Sequence, residues 1–293
     1  GYHLELLGAT TNVSDANTAT TFLNTGNLVL GNGAGDSLTF AGGLTATAPA
    51  AISAAGTINT TNTAMSLGDS DTALTLTANT TLNTGSGDIT LGGTVNAATS
   101  GAQSLALNST GVTTLQAAVG NTAALSSVTT NANGTLVMNG GVVNTTGLQS
   151  YGEAATLGAG TTLTSSGAGA ITLGNTLDGA QTLSVNTAGT ITFNGAVGYT
   201  TALTSLSTNT GGSVVINGGL IKTIGAQTYN KPINLGATTV LQGVNLAFMS
   251  SIDGAQALTL NDSGNTVLSG LIGGTTPLLS LTTDSAITAA GET

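Results

Sequence analysis

Gly101-Ala102-Gln103-Ser104-Leu105-Ala106-Leu107-Asn108 returns as Gly179-Ala180-Gln181-Thr182-Leu183-Ser184-Val185-Asn186, and again as Gly254-Ala255-Gln256-Ala257-Leu258-Thr259-Leu260-Asn261. Working outward, Leu115-Gln116-Ala117-Ala118-Val119-Gly120, Phe193-Asn194-Gly195-Ala196-Val197-Gly198 and Leu268-Ser269-Gly270-Leu271-Ile272-Gly273 keep the same steps. Met138-Asn139-Gly140-Gly141 pairs with Ile216-Asn217-Gly218-Gly219, and Gly147-Leu148-Gln149-Ser150-Tyr151 with Gly225-Ala226-Gln227-Thr228-Tyr229. Upstream, Thr80-Thr81-Leu82-Asn83 matches Thr161-Thr162-Leu163-Thr164. A sustained period of about 78 residues is the signature of a repeat architecture. Residues 1–60 follow it poorly and read as diverged or capping coils, and residues 61–293 as the repeat proper, with clear copies from 101, 179 and 254. The last copy stops halfway at Thr293, and the start, Gly1-Tyr2-His3, resembles no signal peptide, so the natural chain is expected to continue beyond both ends.

Inside each copy, short alternating runs such as Thr190-Ile191-Thr192-Phe193 and Ser213-Val214-Val215-Ile216 are bounded by Gly, Asn or Asp. Period-2 alternation with turn residues at its borders predicts strands. Helical periodicity is absent, and Thr and Val stand where Ala, Glu and Lys would favour a helix. The expected fold is all-β, a parallel β-solenoid whose inward Leu, Ile and Val and outward Thr and Ser form ladders along the stack. Right-handed winding is the default for parallel connections. If the repeat holds four coils, each has about 20 residues, giving on the order of 14 coils and ~65 Å of stack at ~4.8 Å per coil. Asn108, Asn186 and Asn261 share one repeat position and are expected at a corner.

Composition excludes several functions. Only 5% of the 293 residues are charged, and Lys222 and Lys231 are the only basic side chains. No cationic stripe exists to neutralise phosphates, so nucleic acid is not an expected partner. The net charge of -10 is dispersed without an acidic run. With no cysteine there are no disulfides or thiolate metal sites, and no apolar stretch is long enough to span a bilayer as a helix.

The remaining chemistry is sparse. Asp178-Gly179 and Asp253-Gly254 recur at one repeat position and could bind calcium between coils, but Asp-Gly also suits a tight reversal, and the earlier copy has Ser100. Gly31-Asn32-Gly33-Ala34-Gly35-Asp36 approaches a calcium-binding nonapeptide, with Asp36 its ligand, yet no tandem copy follows, which favours a glycine-rich loop. Asp69, Asp71 and Asp88 are the densest carboxylates and could in principle hydrolyse glycosides. A lyase on a β-helix would need a basic residue, and Arg is absent. His3 reads as incidental. Tyr151 and Tyr229 could stack on sugars or pack at the edge of the core. Thr45 to Thr47 and Thr75 to Thr77 suggest an ice-binding array but do not recur in step with the repeat. Asn-X-Ser/Thr triplets at Asn12, Asn59, Asn79, Asn108, Asn133 and Asn144 are expected from composition. No catalytic residue, cofactor or firm metal ligand is assigned.

Gly87-Asp88-Ile89-Thr90-Leu91, Gly169-Ala170-Ile171-Thr172-Leu173 and Gly225-Ala226-Gln227-Thr228-Tyr229-Asn230, followed by Ile233-Asn234-Leu235-Gly236, resemble the repeat region of filamentous haemagglutinin-type exoproteins, large bacterial adhesins secreted by type V routes. The resemblance covers about residues 60 to 290, and the amino-terminal secretion-signalling domain of that family is not recognisable. It implies a right-handed β-helix, an extracellular or cell-surface location, and attachment or matrix formation without catalysis. Partners would be host, matrix or polysaccharide surfaces, or further copies of the chain associating end to end or laterally. A carbohydrate-active β-helix enzyme and an ice-binding solenoid are the alternatives.

Overall fold

The computed structural model describes residues 1–284 and 287–289. Among them every regular element is a β-strand and none is a helix. The strand pairs are parallel and stack as a β-solenoid of about 13 turns with roughly 22 residues per turn, slightly more than the 20 expected from the repeat. The chain divides into two compact units, residues 1–153 and 154–293.

In the first unit each turn lays strands on three faces. One face stacks Leu4, Leu28, Ile52, Leu74, Val95, Val119 and Val143 in register, one rung to each turn. A second stacks Leu44, Met65, Ile89, Thr113 and Leu136. The third stacks Leu38, Ile58, Leu82 and Leu107. Residues 1–60 thus share the ladders of the residues that follow. Alternation places every second side chain outside, so Thr21, Thr45, Ser66, Thr90 and Thr114 form an outward column. Asn59, Asn83 and Asn108 form another. In that column Asn83 Nδ2 donates to Asn59 Oδ1 at 2.9 Å and Asn108 Nδ2 to Asn83 Oδ1 at 2.7 Å. Asn108, Asn186 and Asn261 therefore do not stand at turns as expected. Each occupies the penultimate position of a strand, Ser104–Ser109, Thr182–Thr187 or Ala257–Asp262.

Some strands bend over two faces. Ala51–Thr60 changes register between Ala54 and Gly56. Gly56 turns the corner with φ +73°, where a Cβ would lie 2.3 Å from the Asp36 carbonyl oxygen. Only glycine takes that conformation and that approach without strain.

The second unit repeats the three-faced turn. One face stacks Leu177, Val197, Ile221, Leu241 and Leu260. The next stacks Leu183, Leu206, Gln227 and Leu246. The third stacks Ile171, Ile191, Val214, Ile233 and Ile252. Repeat-equivalent residues do not fall on the same face. Leu183 is on the second face but its counterpart Leu258 is on the first, above Thr239. Phe193 is on the third and Leu268 on the second, while Val197 is on the first and Ile272 on the third. Passing from Leu183 to Leu258 crosses eleven face-to-face steps, or three and two-thirds turns. That repeat is therefore not four coils, and within the second unit the copy from 254 is rotated by one face relative to the copy from 179. What persists is the local stack. Leu105 sits on Thr80, Leu183 on Thr161 and Leu258 on Thr239. Each of those threonine hydroxyls donates to the carbonyl two residues before it, at 3.0, 2.8 and 2.8 Å.

The interior is mainly aliphatic, with Leu28, Leu38, Ile52, Ile58, Ile191 and Val214 wholly buried beside a few aromatics such as Phe40 and Phe193. Full burial of such a side chain stabilises by about 1.5–3 kcal/mol, and with no disulfide these ladders and the backbone bonds between turns hold the fold.

Candidate functional site

The chain's few polar groups with chemical potential gather where one turn passes to the next. Asp178 ends the strand Leu177–Asp178, and its Oδ1 accepts the amides of Thr200 and Thr201 in the following turn at 2.8 and 2.9 Å. Asp253 repeats this with Thr275 and Thr276 at 2.8 and 3.0 Å. Those two amides hold its carboxyl below the ordinary aspartate value, because they stabilise the ionised form. In the first unit the same task falls to Asn96, whose Oδ1 accepts the amides of Thr122 and Ala123 at 3.0 and 3.1 Å. A neutral amide oxygen performs it as well as a carboxylate, so turn-tying alone accounts for the position. Asp178 and Asp253 also lie on different faces of the second unit, pairing with Thr156 and Asn234 respectively, and cannot be stacked half-sites of one column.

Asp36 Oδ2 closes its own glycine-rich loop by accepting the amides of Asn32 and Gly33 at 2.7 and 3.0 Å. Asp69 Oδ1 accepts the Thr72 hydroxyl at 2.9 Å and the Asp71 amide at 3.1 Å, and the hydroxyl is the main reason its carboxyl is held low. Asp88 Oδ1 accepts the Val112 amide at 2.7 Å. His3 Nδ1 accepts the Asn27 amide at 2.9 Å. Among the described residues no three His, Cys, Asp or Glu side chains gather as metal ligands. A surface groove of about 340 Å³ runs over the third face of the second unit, lined by Val215, Pro232, Asn234, Ser251, Asp253 and Thr275.

Tyr151 and Tyr229 are fully buried, which removes them as sugar platforms. Each hydroxyl donates to a buried glutamine, Tyr151 to Gln149 Oε1 at 2.9 Å and Tyr229 to Gln227 Oε1 at 2.7 Å. Gln227 Nε2 in turn donates to the Ile221 and Gln242 carbonyls at 3.2 and 2.8 Å. Burial pushes both phenols well above their ordinary range. The threonines of the suggested ice-binding array also scatter. Thr45 belongs to the outward column already described, whereas Thr75 has Ser53 and Asn96 as its neighbours in its column rather than threonine.

Three charged residues that the sequence pattern did not single out are buried. Asp262 accepts the amides of Asn245, Leu246 and Gly264 and the Thr266 hydroxyl, each at 2.8 or 2.9 Å. Burial pushes its carboxyl up, yet these donors outweigh burial and hold it below the ordinary value. Lys231 is 1% exposed, and its Nζ donates to the carbonyls of Thr187, Gly211 and Gly189. Burial holds its ammonium below the usual lysine value. Glu153, also 1% exposed, meets no donor at either oxygen, and burial pushes it up to about 7. Glu153 and Lys231 occupy one repeat position, two places beyond the matched tyrosines, so the repeat itself was the available signal.

Comparison with protein-family models, curated proteins and solved structures found no match. No helix among the described residues is long and apolar enough to cross a membrane.

Proposed function

We propose that the chain is a segment of a structural or adhesive extracellular rod or fibre, belonging to a large bacterial surface or secreted protein and working without catalysis. The observation that carries this reading is the outward columns. Thr21, Thr45, Ser66, Thr90 and Thr114, with Asn59, Asn83 and Asn108, repeat one polar group at the ~4.8 Å spacing of parallel strands. Such columns offer a broad surface of modest hydrogen-bonding groups, suited to multivalent adhesion or lateral packing. The carboxylates Asp36, Asp178 and Asp253 support it too, since each engages backbone amides that fix a turn. The resemblance of residues 60 to 290 to filamentous haemagglutinin-type repeats points the same way. The test immobilises the purified chain against a panel of matrix proteins and polysaccharides, and assays the same polysaccharides for cleavage. Retention without cleavage is expected, and turnover of any polysaccharide would overturn the reading.

A further inference from the structure

The corner occupied by Lys231 is built twice in the chain, with four matching hydrogen bonds around it. In the second unit the Thr187 amide donates to Asn209 Oδ1 at 3.0 Å, the Gly189 amide to Thr187 Oγ1 at 2.8 Å, and the Asn230 amide to Thr208 Oγ1 at 3.1 Å. In the first unit, one repeat earlier, the Ser109 amide donates to Asn131 Oδ1 at 3.2 Å, the Gly111 amide to Ser109 Oγ at 2.9 Å, and the Gly152 amide to Thr130 Oγ1 at 3.1 Å. The hydroxyls match as well. Thr187 Oγ1 donates to the Gly169 carbonyl at 2.7 Å and Ser109 Oγ to that of Gly87 at 2.6 Å.

The carbonyls that hold the Lys231 ammonium are those of Thr187, Gly189 and Gly211. Their counterparts are the carbonyls of Ser109, Gly111 and Asn133. Two of these oxygens lie close together in the first unit, since a Cβ on Gly134 would lie 2.5 Å from the Gly111 oxygen and 2.9 Å from the Ser109 oxygen. The side chain that replaces Lys231 there is Glu153, buried and without a donor at either oxygen. By its repeat position the Glu153 carboxylate is directed at these carbonyl oxygens, which would repel it when ionised, and isolated burial of its charge is costly. Residues 1–153 contain no Lys or Arg to neutralise it.

We infer that Glu153 and the carbonyl oxygens of Ser109, Gly111 and Asn133 form a buried site for a small monovalent cation, in the place where the next repeat carries its own ammonium. An all-oxygen donor set suits a hard ion, and potassium or sodium fits the charge. One carboxylate balances one positive charge, whereas calcium would bring two and prefers six to eight oxygens. A glutamate side chain is one bond shorter than a lysine, which leaves the ion near the position of the ammonium nitrogen. Held this way, the cation would tie three successive turns of the first unit together, as Lys231 ties those of the second.

Thermal unfolding of the full chain at pH 8 in potassium, sodium or tetramethylammonium chloride at equal ionic strength tests this. Potassium or sodium should raise the midpoint by several degrees over the bulky ion. Glu153→Gln should abolish that difference. Glu153→Lys should abolish it too and, in tetramethylammonium chloride, melt above the parent. Equal midpoints for the parent in all three salts, or an unchanged salt response in Glu153→Gln, would overturn the site, and a larger rise with millimolar calcium would overturn the monovalent assignment. Should the lysine variant fail to fold, crystals of the parent grown in rubidium decide. An anomalous peak beside Glu153 is expected, and its absence refutes the inference.

Discussion

Excision of residues 179–253 removes one whole repeat from the second unit and joins Asp178 to Gly254. Because the repeat spans three and two-thirds turns, the downstream chain rotates by one face, which would ruin most solenoids. Here each new neighbour is a repeat-equivalent of the old one. Leu258 moves from Thr239 to Thr161, Leu260 from Leu241 to Leu163, and Ile272 from Ile252 to Leu177. The poorest new contact is Thr266 on Ile171, where Ile191 now sits. The shortened chain should therefore unfold cooperatively, with a denaturant slope lower by about a quarter, in proportion to the surface removed. A comparator lacking residues 183–245 removes three whole turns and keeps every face aligned, but it lowers Phe248 onto Leu163, where Val185 sits. Overpacking of that kind costs about 1–3 kcal/mol, so the comparator should be the less stable although it is longer. Circular dichroism with urea titration of both variants is the assay. A broadened transition in the first variant, or a higher midpoint in the second, would refute the rotated-repeat argument.

Thr113 lies in the inner ladder between Ile89 and Leu136, and its buried hydroxyl has no partner, so Thr113→Val should stabilise by roughly 1–2 kcal/mol in urea unfolding. Tyr229→Phe leaves the buried Gln227 Oε1 without its 2.7 Å donor and should cost about 1–3 kcal/mol, and Tyr151→Phe should match it within error. Gly179→Ala and Gly254→Ala each place a Cβ 2.4 Å from a carbonyl oxygen at φ +126°, and both should lower the thermal midpoint by similar amounts. Asp262 has a folded-state pKa below its unfolded one, so the stability it gives is complete above about pH 4 and lost as pH falls through the folded value. Acid unfolding followed by circular dichroism should accordingly be less steep in Asp262→Asn.

The period, the strands and the parallel stack were legible because inward Leu, Ile and Val alternate with outward Thr and Ser, and because Gly-Ala-Gln recurs three times. The phase was not. A turn's length is set at its corners, and the rungs Leu177, Val197, Ile221, Leu241 and Leu260 on one face of the second unit are unevenly spaced along the chain. Dividing the period by a nominal turn length cannot therefore find two-thirds of a turn. Asp178 and Asp253 each end a two-residue strand and hold amides of the next turn, and their partner in the first unit is Asn96, four places from the Ser100 that the step selects. Glu153 and Lys231 escaped because opposite charges break a match by residue type, although they share a place in the corner.

The rotation also bears on what such a repeat can do at a surface. Three successive copies of three and two-thirds turns would make eleven whole turns, after which an outward side chain would return to the face on which it began. A group presented once per repeat would therefore appear on each face in turn, and a longer run of copies would present it on all sides. A single adhesive face would need repeats holding a whole number of turns. A filament that must engage surfaces whatever its rotation about its own axis is better served by the fraction, and this adds to the case for a structural or adhesive segment over a device with one specialised face. Loss of binding when only one copy of an outward group is changed would contradict that argument, since the remaining copies should preserve most of it.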